Sequence, residues 1–227
     1  MSTPHPVIAI DGTAASGKST VARELGARLG YVYVNTGLMY RAVTWWMLDR
    51  GVPTGDAALV AKALEGVRLK LWLEGETTRL TMAEADPMPH VRDGRVNEHV
   101  SAISGVPEVR ELLVARQRGL RTEAPLVMEG RDIGTVVFPE TPFKYYIDAD
   151  PSVRAARRRA QGETDAIAER DRLDSTRAAS PLRAAEGALR LDSGQHSAEQ
   201  IVLLVLEDLA AKGLRRAEQA LAEPVES

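Results

Sequence analysis

The sequence predicts a three-layer α/β fold, helices on both sides of a parallel core sheet, and three observations carry that prediction. Apolar, β-branched runs alternate with helical patterns along most of the 227 residues. The first run feeds into a glycine-rich turn that opens a helix, as in open parallel sheets. One stretch changes to a period of two, which marks a hairpin set into that framework.

In chain order, Val7 to Ile10 is a short continuous apolar run, as expected of a strand buried on both faces. Lys18 to Leu29 follows as a helix with Val21, Ala22, Leu25 and Leu29 on one face, and Gly30 stops it. Tyr31 to Val34 reads as the second strand, after which Thr36-Gly37 leads into a helix through Met39, Val43, Trp46, Met47 and Arg50. Further on, Leu126-Val127-Met128, Tyr145-Tyr146-Ile147 and Ala188-Leu189-Arg190-Leu191 read as three more core strands. Asp150-Pro151 supplies an N-cap and a first helical residue for a helix through Arg159, and Ser197 to Leu209 is the last core helix.

Between these units Val67, Leu69, Leu71 and Leu73 alternate with Arg68, Lys70 and Trp72, then Glu74-Gly75-Glu76 turns the chain into a return run near Arg79 to Met82. Helical patterns at Asp56 to Leu64 and Asp93 to Ile103 flank this hairpin, so an inserted subdomain is expected over about residues 56–99. A second interruption, about residues 161–182, is polar and charged, ends at Ser180-Pro181, and reads as a mobile, partly helical lid. The chain is thus one domain, with core segments of about 6–55, 100–160 and 183–212 and an Ala- and Glu-rich tail over about 216–227 that is expected to fray.

Composition narrows the partners. The formal net charge of −3 provides no global basic field for nucleic acid or membranes, so any anion site must be local. Without cysteine there is neither disulfide nor thiolate chemistry, which fits a reducing cytoplasm. No run approaches transmembrane length and Met1 to Pro6 lacks a signal pattern, so the expected location is cytoplasmic. His5, His90, His99 and His196 show no metal-ligand spacing.

Gly12-Thr13-Ala14-Ala15-Ser16-Gly17-Lys18-Ser19 completes the phosphate-binding pattern G-x-x-x-x-G-K-[ST] between a strand and a helix, where its mechanism requires it. Backbone N–H groups must ring a polyanion, and the glycines let the chain pass close to it. Lys18 is expected on the β- and γ-phosphates of a nucleoside triphosphate, Ser19 on Mg²⁺, and the helix that begins there points its positive end at the phosphates. The bland alternative is a glycine-rich connecting turn.

Phosphoryl transfer asks for positive groups that gather two anions, so arginines in loops at strand ends carry weight. Arg41 follows the second strand within Thr36-Gly37-Leu38-Met39-Tyr40-Arg41, where a monophosphate would sit. Arg131 and Asp132 follow another strand end in Glu129-Gly130-Arg131-Asp132; the bland alternative there is a loop ion pair. Arg170, Asp174 and Arg177 share helical spacing, and taken alone they read as a solvated helix face. The basic cluster of Arg154 and Arg157 to Arg159 is explained by a helix beside a phosphate site. Of Trp45 and Trp46, at least one is expected in the core.

Together these residues resemble the cytidylate kinases, the bacterial CMP and dCMP kinases of the nucleoside monophosphate kinase family, from about Val7 to Leu209. The resemblance rests on Ile10-Asp11-Gly12 with the phosphate loop, Thr36-Gly37-x-x-Tyr40-Arg41, Gly130-Arg131-Asp132-Ile133-Gly134-Thr135-Val136-Val137-Phe138-Pro139, and Arg170-Asp171-x-x-Asp174-x-x-Arg177-x-x-x-Pro181-Leu182. It implies a P-loop kinase fold in which the insert binds the nucleoside monophosphate, the short lid closes, and ATP with Mg²⁺ phosphorylates CMP and dCMP in a monomer.

The resemblance also implies roles. Lys18, Arg131 and Arg177 would be catalytic; Gly12 to Thr20 with Arg157 would bind ATP, Arg157 beside the adenine. Thr36, Arg41, Arg131 and Arg177 would hold the CMP phosphate, and Ser101, Arg110 and Asp132 would read the cytosine. Asp174 and Arg170 would reach the ribose or the closing lid. The chain departs from the commoner family pattern at Asn35, Thr36 and Glu129, where Asp, Ser and Asp are expected. The alternatives are a kinase for UMP or another small acceptor, and a non-enzymatic nucleotide switch, although no Asn-Lys-x-Asp guanine-reading motif is present.

Overall fold

The computed structural model describes residues 4–160, 167–177 and 180–214, with side chains for all of these except 167–170. The first half runs β1 (Val7–Gly12), α1 (Lys18–Leu29), β2 (Val32–Asn35), α2 (Thr36–Asp49), α3 (Ala57–Leu64), the hairpin β3 (Leu69–Glu74) and β4 (Thr77–Met82), then α4 (Gly94–Gly105) and α5 (Pro107–Gly119). The second half runs β5 (Leu126–Gly130), β6 (Lys144–Asp148), α6 (Pro151–Ala160), α7 (Ile167–Thr176), β7 (Leu189–Asp192) and α8 (Ala198–Ala211). The expected tail over 216–227 and residues 161–166 of the expected lid lie outside the described residues.

The central sheet has the order β2-β5-β1-β6-β7, all pairs parallel, with Val7 beside Leu126 and Ala9 beside both Met128 and Lys144. Alternation along each strand divides the apolar residues between two layers. Val7, Ala9, Val34, Leu126 and Met128 pack with α2, α4 and α5, whereas Ile8, Ile10, Val127, Tyr145 and Ile147 pack with α1 and α8. Each such side chain, fully buried, is worth about 1.5–3 kcal/mol over exposure, so the strand ends that carry the site are anchored from both sides. The expected three-layer fold is the observed one.

Caps place the helices. Asn35 Oδ1 accepts from Leu38 N to start α2, Asp56 accepts from the N–H groups of Ala58 and Leu59 to start α3, and Ser197 and Gln200 form a reciprocal capping box on α8. Pro107 occupies the first turn of α5, where its missing N–H costs nothing. A single π-helical turn, Ile133–Val137, follows β5 and has no local signal in the sequence. Its cause is remote: the buried Asp11 carboxylate accepts from the N–H groups of Ile133 at 2.7 Å and Gly134 at 2.8 Å.

The insert contains the expected hairpin, in the register Leu69 opposite Met82 to Glu74 opposite Thr77. It is not separately cored. Leu69, Leu80 and Met82 are buried in the same cluster as Val34 and Met39, and Tyr33 N donates to Glu76 O at 3.0 Å. Trp46 is buried, as one of the tryptophan pair was expected to be, and Trp45 stacks on His90 with ring centroids 5.2 Å apart.

Candidate active site

The carboxyl ends of β1, β2 and β5 open on a cavity of about 980 Å³, the position that an open parallel sheet favours for ligands. Its walls include Ala14 to Thr20, Thr36, Arg41, Ser101, Arg110, Arg131, Asp132, Arg157, Asp174 and Arg177, so nearly all the residues singled out from the sequence converge there. Gly12 and Thr13, the first two residues of the phosphate loop, are not part of these walls. The side chain of Arg170 falls outside the described residues.

At one end is the phosphate loop. Ala15 at φ 57° and Gly17 at φ 83° take the left-handed conformation that turns successive N–H groups into a concave, anion-binding nest. Gly12 answers a further demand that the sequence does not show: a Cβ there would lie 2.0 Å from Ile147 O, so the neighbouring strand also requires glycine. Lys18 Nζ donates to Thr13 O at 2.8 Å, folded onto the loop that it serves. Behind the loop, Ser193 Oγ donates to Ser16 O at 2.7 Å, and Arg157 donates to Ser193 Oγ at 2.9 Å and Ser193 O at 2.6 Å. Arg154 is buried and donates to Ala14 O and the Asp171 carboxylate, while Ala14 N donates to Asp171 Oδ1 at 3.1 Å. Arg154 therefore braces the loop; the sequence had shown it only as part of a basic cluster.

Beside the loop, Ser19 Oγ donates to Glu129 Oε2 at 2.8 Å, and Tyr33 OH donates to Glu129 Oε1. Asn35 Nδ2 donates to Tyr33 OH at 3.2 Å, and burial together with the Glu129 charge raises the Tyr33 pKa, keeping the phenol a donor. A hydroxyl and a carboxylate are the hard oxygen groups that Mg²⁺ prefers, so these residues fit that ion. Thr36 Oγ1 donates to Glu129 O at 2.8 Å, which ties α2 to the end of β5.

The other end is built from side chains. Arg131 Nε donates to Asp174 Oδ2 at 2.8 Å and its Nη1 to Gly12 O at 2.6 Å, and Arg177 pairs with the other Asp174 oxygen. Arg110 pairs with Asp132, both side chains only 6% exposed, and its guanidinium lies 5.6 Å from the Tyr40 ring centroid. Burial raises the Asp132 pKa, opposed by the Arg110 charge, and lowers that of Arg177, opposed by Asp174. Burial likewise pushes the Tyr40 phenol up to about 12. Arg41 Nη1 donates to Val91 O at 2.9 Å and Asn97 Oδ1 at 2.5 Å. Ser101 lines the cavity, half-buried.

With this geometry, comparison with known proteins is decisive. Residues 8–211 match the family model described as Cytidylate kinase. The chain belongs to the cytidylate kinase family. Among curated members, the cytidylate kinase of Rhodococcus opacus is 40% identical over 228 residues, 94% of this chain and 100% of that protein. That of Pelotomaculum thermopropionicum is 41% identical, covering 91% of this chain and 96% of its own length. That of Corynebacterium efficiens is 39% identical over 88% of this chain and 93% of its own length.

Sequence reading did not single out Asn97, Tyr33, Asp148, Ser193 or Ser180 as site residues. Asp148 accepts from Thr13 Oγ1 at 2.5 Å, across 135 residues. None has a motif-sized signal, because each acts through a partner that the chain brings back from a distance; only the polarity of a strand end, as at Asp148, hints at a site.

Proposed function

We propose that this protein transfers the γ-phosphoryl group of ATP to CMP, and to dCMP, giving ADP and the corresponding diphosphate. The observation that carries the reading is one cavity with a phosphate nest at one end and the buried Arg110–Asp132 pair among arginines at the other. Donor and acceptor phosphates would meet between Lys18 and Arg131.

A CMP phosphate oxygen, already anionic at neutral pH, would attack the γ-phosphorus in line; the new O–P bond forms as the bond to the ADP oxygen breaks, so no dedicated base is needed. Lys18, Arg131 and Arg177 would neutralise charge as the phosphoryl moves, with Arg41 and Thr36 holding the acceptor phosphate. Bound Mg²⁺ supplies charge neutralisation on the triphosphate, and Ser19 with Glu129 would orient its shell. Arg157 would flank the ATP base. Asp132, as a carboxylate beside Ser101 and Arg110, would accept from the cytosine amino group; uracil offers a carbonyl there, so repulsion as well as attraction sets selectivity. Asp174 would reach the ribose. The insert over 56–99 and the lid over 161–182, which includes Arg170, would close to exclude water as a competing acceptor. A cytoplasmic monomer is the state proposed.

The test is ADP formation in a coupled assay across CMP, dCMP, UMP, AMP and shikimate, with Asp132→Ala alongside. CMP and dCMP should be turned over far better than the others, and the variant should lose on the order of tenfold to a thousandfold in kcat/KM for CMP, with UMP losing much less. UMP turnover equal to that of CMP, or no CMP-dependent ADP at all, would overturn the reading.

A further inference from the structure

Ser180 joins two parts of the site that the sequence keeps far apart. Its hydroxyl accepts from Arg110 Nε at 3.1 Å, and its nearness to Asp132 opposes the upward push of burial on that carboxyl's pKa. The rest of the Arg110 fork is committed, Nη1 to Ser104 O at 3.2 Å and Nη2 to Asp132. Removing the Ser180 hydroxyl therefore takes the acceptor from the buried Arg110 Nε, which is itself paired with the buried Asp132, and buried charged networks are sensitive to one missing member.

Position decides what Ser180 does. Arg110 and Asp132 line the cavity, whereas Ser180 does not. With Ser180 outside the cavity lining, a base entering from the cavity would meet the Arg110–Asp132 pair. The backbone that presents it is held firmly: Ser180 sits at φ 59°, left-handed for a non-glycine residue, and the buried Leu182 donates its N–H to Asp174 O at 2.9 Å.

We propose that Ser180 is a positioning residue for base selection, fixing the Arg110–Asp132 pair from outside the cavity lining so that the carboxylate faces the base edge as an acceptor. The proposal rests on the CMP reading given above. The nearby Ser180 hydroxyl favours the ionised form of Asp132 against the effect of burial. An ionised carboxylate accepts from the cytosine amine and repels the uracil carbonyl; a protonated one can donate to that carbonyl, a rotated one no longer opposes it, and selectivity falls in either case.

The experiment compares wild type, Ser180→Ala, Ser180→Gly and Asp132→Ala with CMP and UMP varied at saturating ATP, and with ATP varied at saturating CMP. Ser180→Ala should raise the KM for CMP about tenfold with kcat within about twofold, and narrow the CMP-to-UMP ratio of kcat/KM to a similar extent, leaving the KM for ATP unchanged. Ser180→Gly should do the same, because it also removes the hydroxyl while relieving the left-handed backbone. A Gly variant with wild-type selectivity would assign the effect to backbone strain and overturn the proposal. An unchanged ratio in Ser180→Ala with a collapsed ratio in Asp132→Ala would also overturn it while sparing the base-reading assignment. A ratio unchanged in Asp132→Ala would remove that assignment, and the Ser180 proposal with it.

Discussion

The two ends of the cavity hold charge by different means. The phosphate loop offers backbone N–H groups, fixed by the left-handed turns at Ala15 and Gly17 and by a strand that packs too closely for any side chain at Gly12. The opposite end offers the guanidinium groups of Arg41, Arg110, Arg131 and Arg177, carried by separate segments and aimed by Asn97, Asp132 and Asp174. Backbone dipoles built on a buried sheet cannot be re-aimed, so that end suits one invariant group, a triphosphate. Side chains held by ion pairs can exchange partners, so the other end suits a ligand that must be selected and then released. The two interruptions of the fold differ in the same sense: the hairpin is anchored by buried Leu69, Leu80 and Met82, whereas the described part after α6 is anchored largely through Asp171 and Asp174 to arginines.

The hardest way to break this contrast is at the loop. Lys18→Ala should lower kcat by about 10²- to 10⁴-fold while the melting curve stays cooperative and close to wild type, because the lost group is a transition-state charge on an intact scaffold. A near-normal kcat with a cooperative melt would mean that the loop is not the catalytic end.

Hydrogen exchange sharpens the comparison of the two interruptions. With analogues of ATP and CMP together, amides of 167–177 and 180–182 should slow by about tenfold, and those of the hairpin 69–82 much less, since apolar burial already protects them. Equal slowing, or none in the ion-paired segment, would remove the distinction.

The smallest effect concerns Asp11, where rigid backbone and titrating side chain meet. Burial pushes its carboxyl up to about 7, partly offset by the N–H groups of Ile133 and Gly134. A raised carboxyl holds its proton more tightly in the folded than in the unfolded chain, so its contribution to stability is complete below the unfolded pKa of about 4 and is lost as pH rises through about 7. Asp11→Asn cannot titrate there. The melting temperature of wild type relative to the variant should therefore be most favourable near pH 4 to 5 and decline by a few degrees towards pH 8. A difference flat with pH would count against the raised carboxyl.

What could be read from the sequence follows the same division. The loop is eight consecutive residues after an apolar strand, so local spacing carries it whole. The sheet, its two helical layers and the hairpin follow from the apolar periodicity of Val7 to Ile10, Leu25 to Leu29 and Leu69 to Met82. The acceptor end is legible only where a motif is compact, as at Arg131-Asp132. Ser101 and Arg110 carry no local signal and came only with the family resemblance. Ser180, Asn97 and Tyr33 carry none either, because what matters in each is a hydrogen bond to a partner tens of residues away. The π turn after β5 escaped for the same reason, its cause being Asp11 across 122 residues.

The pairing of cations within the cavity has a consequence for affinity. Lys18 is paired with Thr13 O, Arg41 with Val91 O and Asn97, Arg110 with Asp132, and both Arg131 and Arg177 with Asp174, although the buried Arg177 Nε has no hydrogen-bond partner among the described residues. The carboxylates among these partners act as resident counter-ions and the carbonyl groups as neutral acceptors, so nucleotide phosphates bound here would enter by exchange rather than by filling bare positive charge. The free energy of binding is then a difference between two well-made sets of contacts, smaller than the number of arginines suggests, and the internal carboxylates stand ready to reclaim their partners as the products leave. A site so ballasted can neutralise several phosphate charges during transfer without holding the resulting diphosphates tightly.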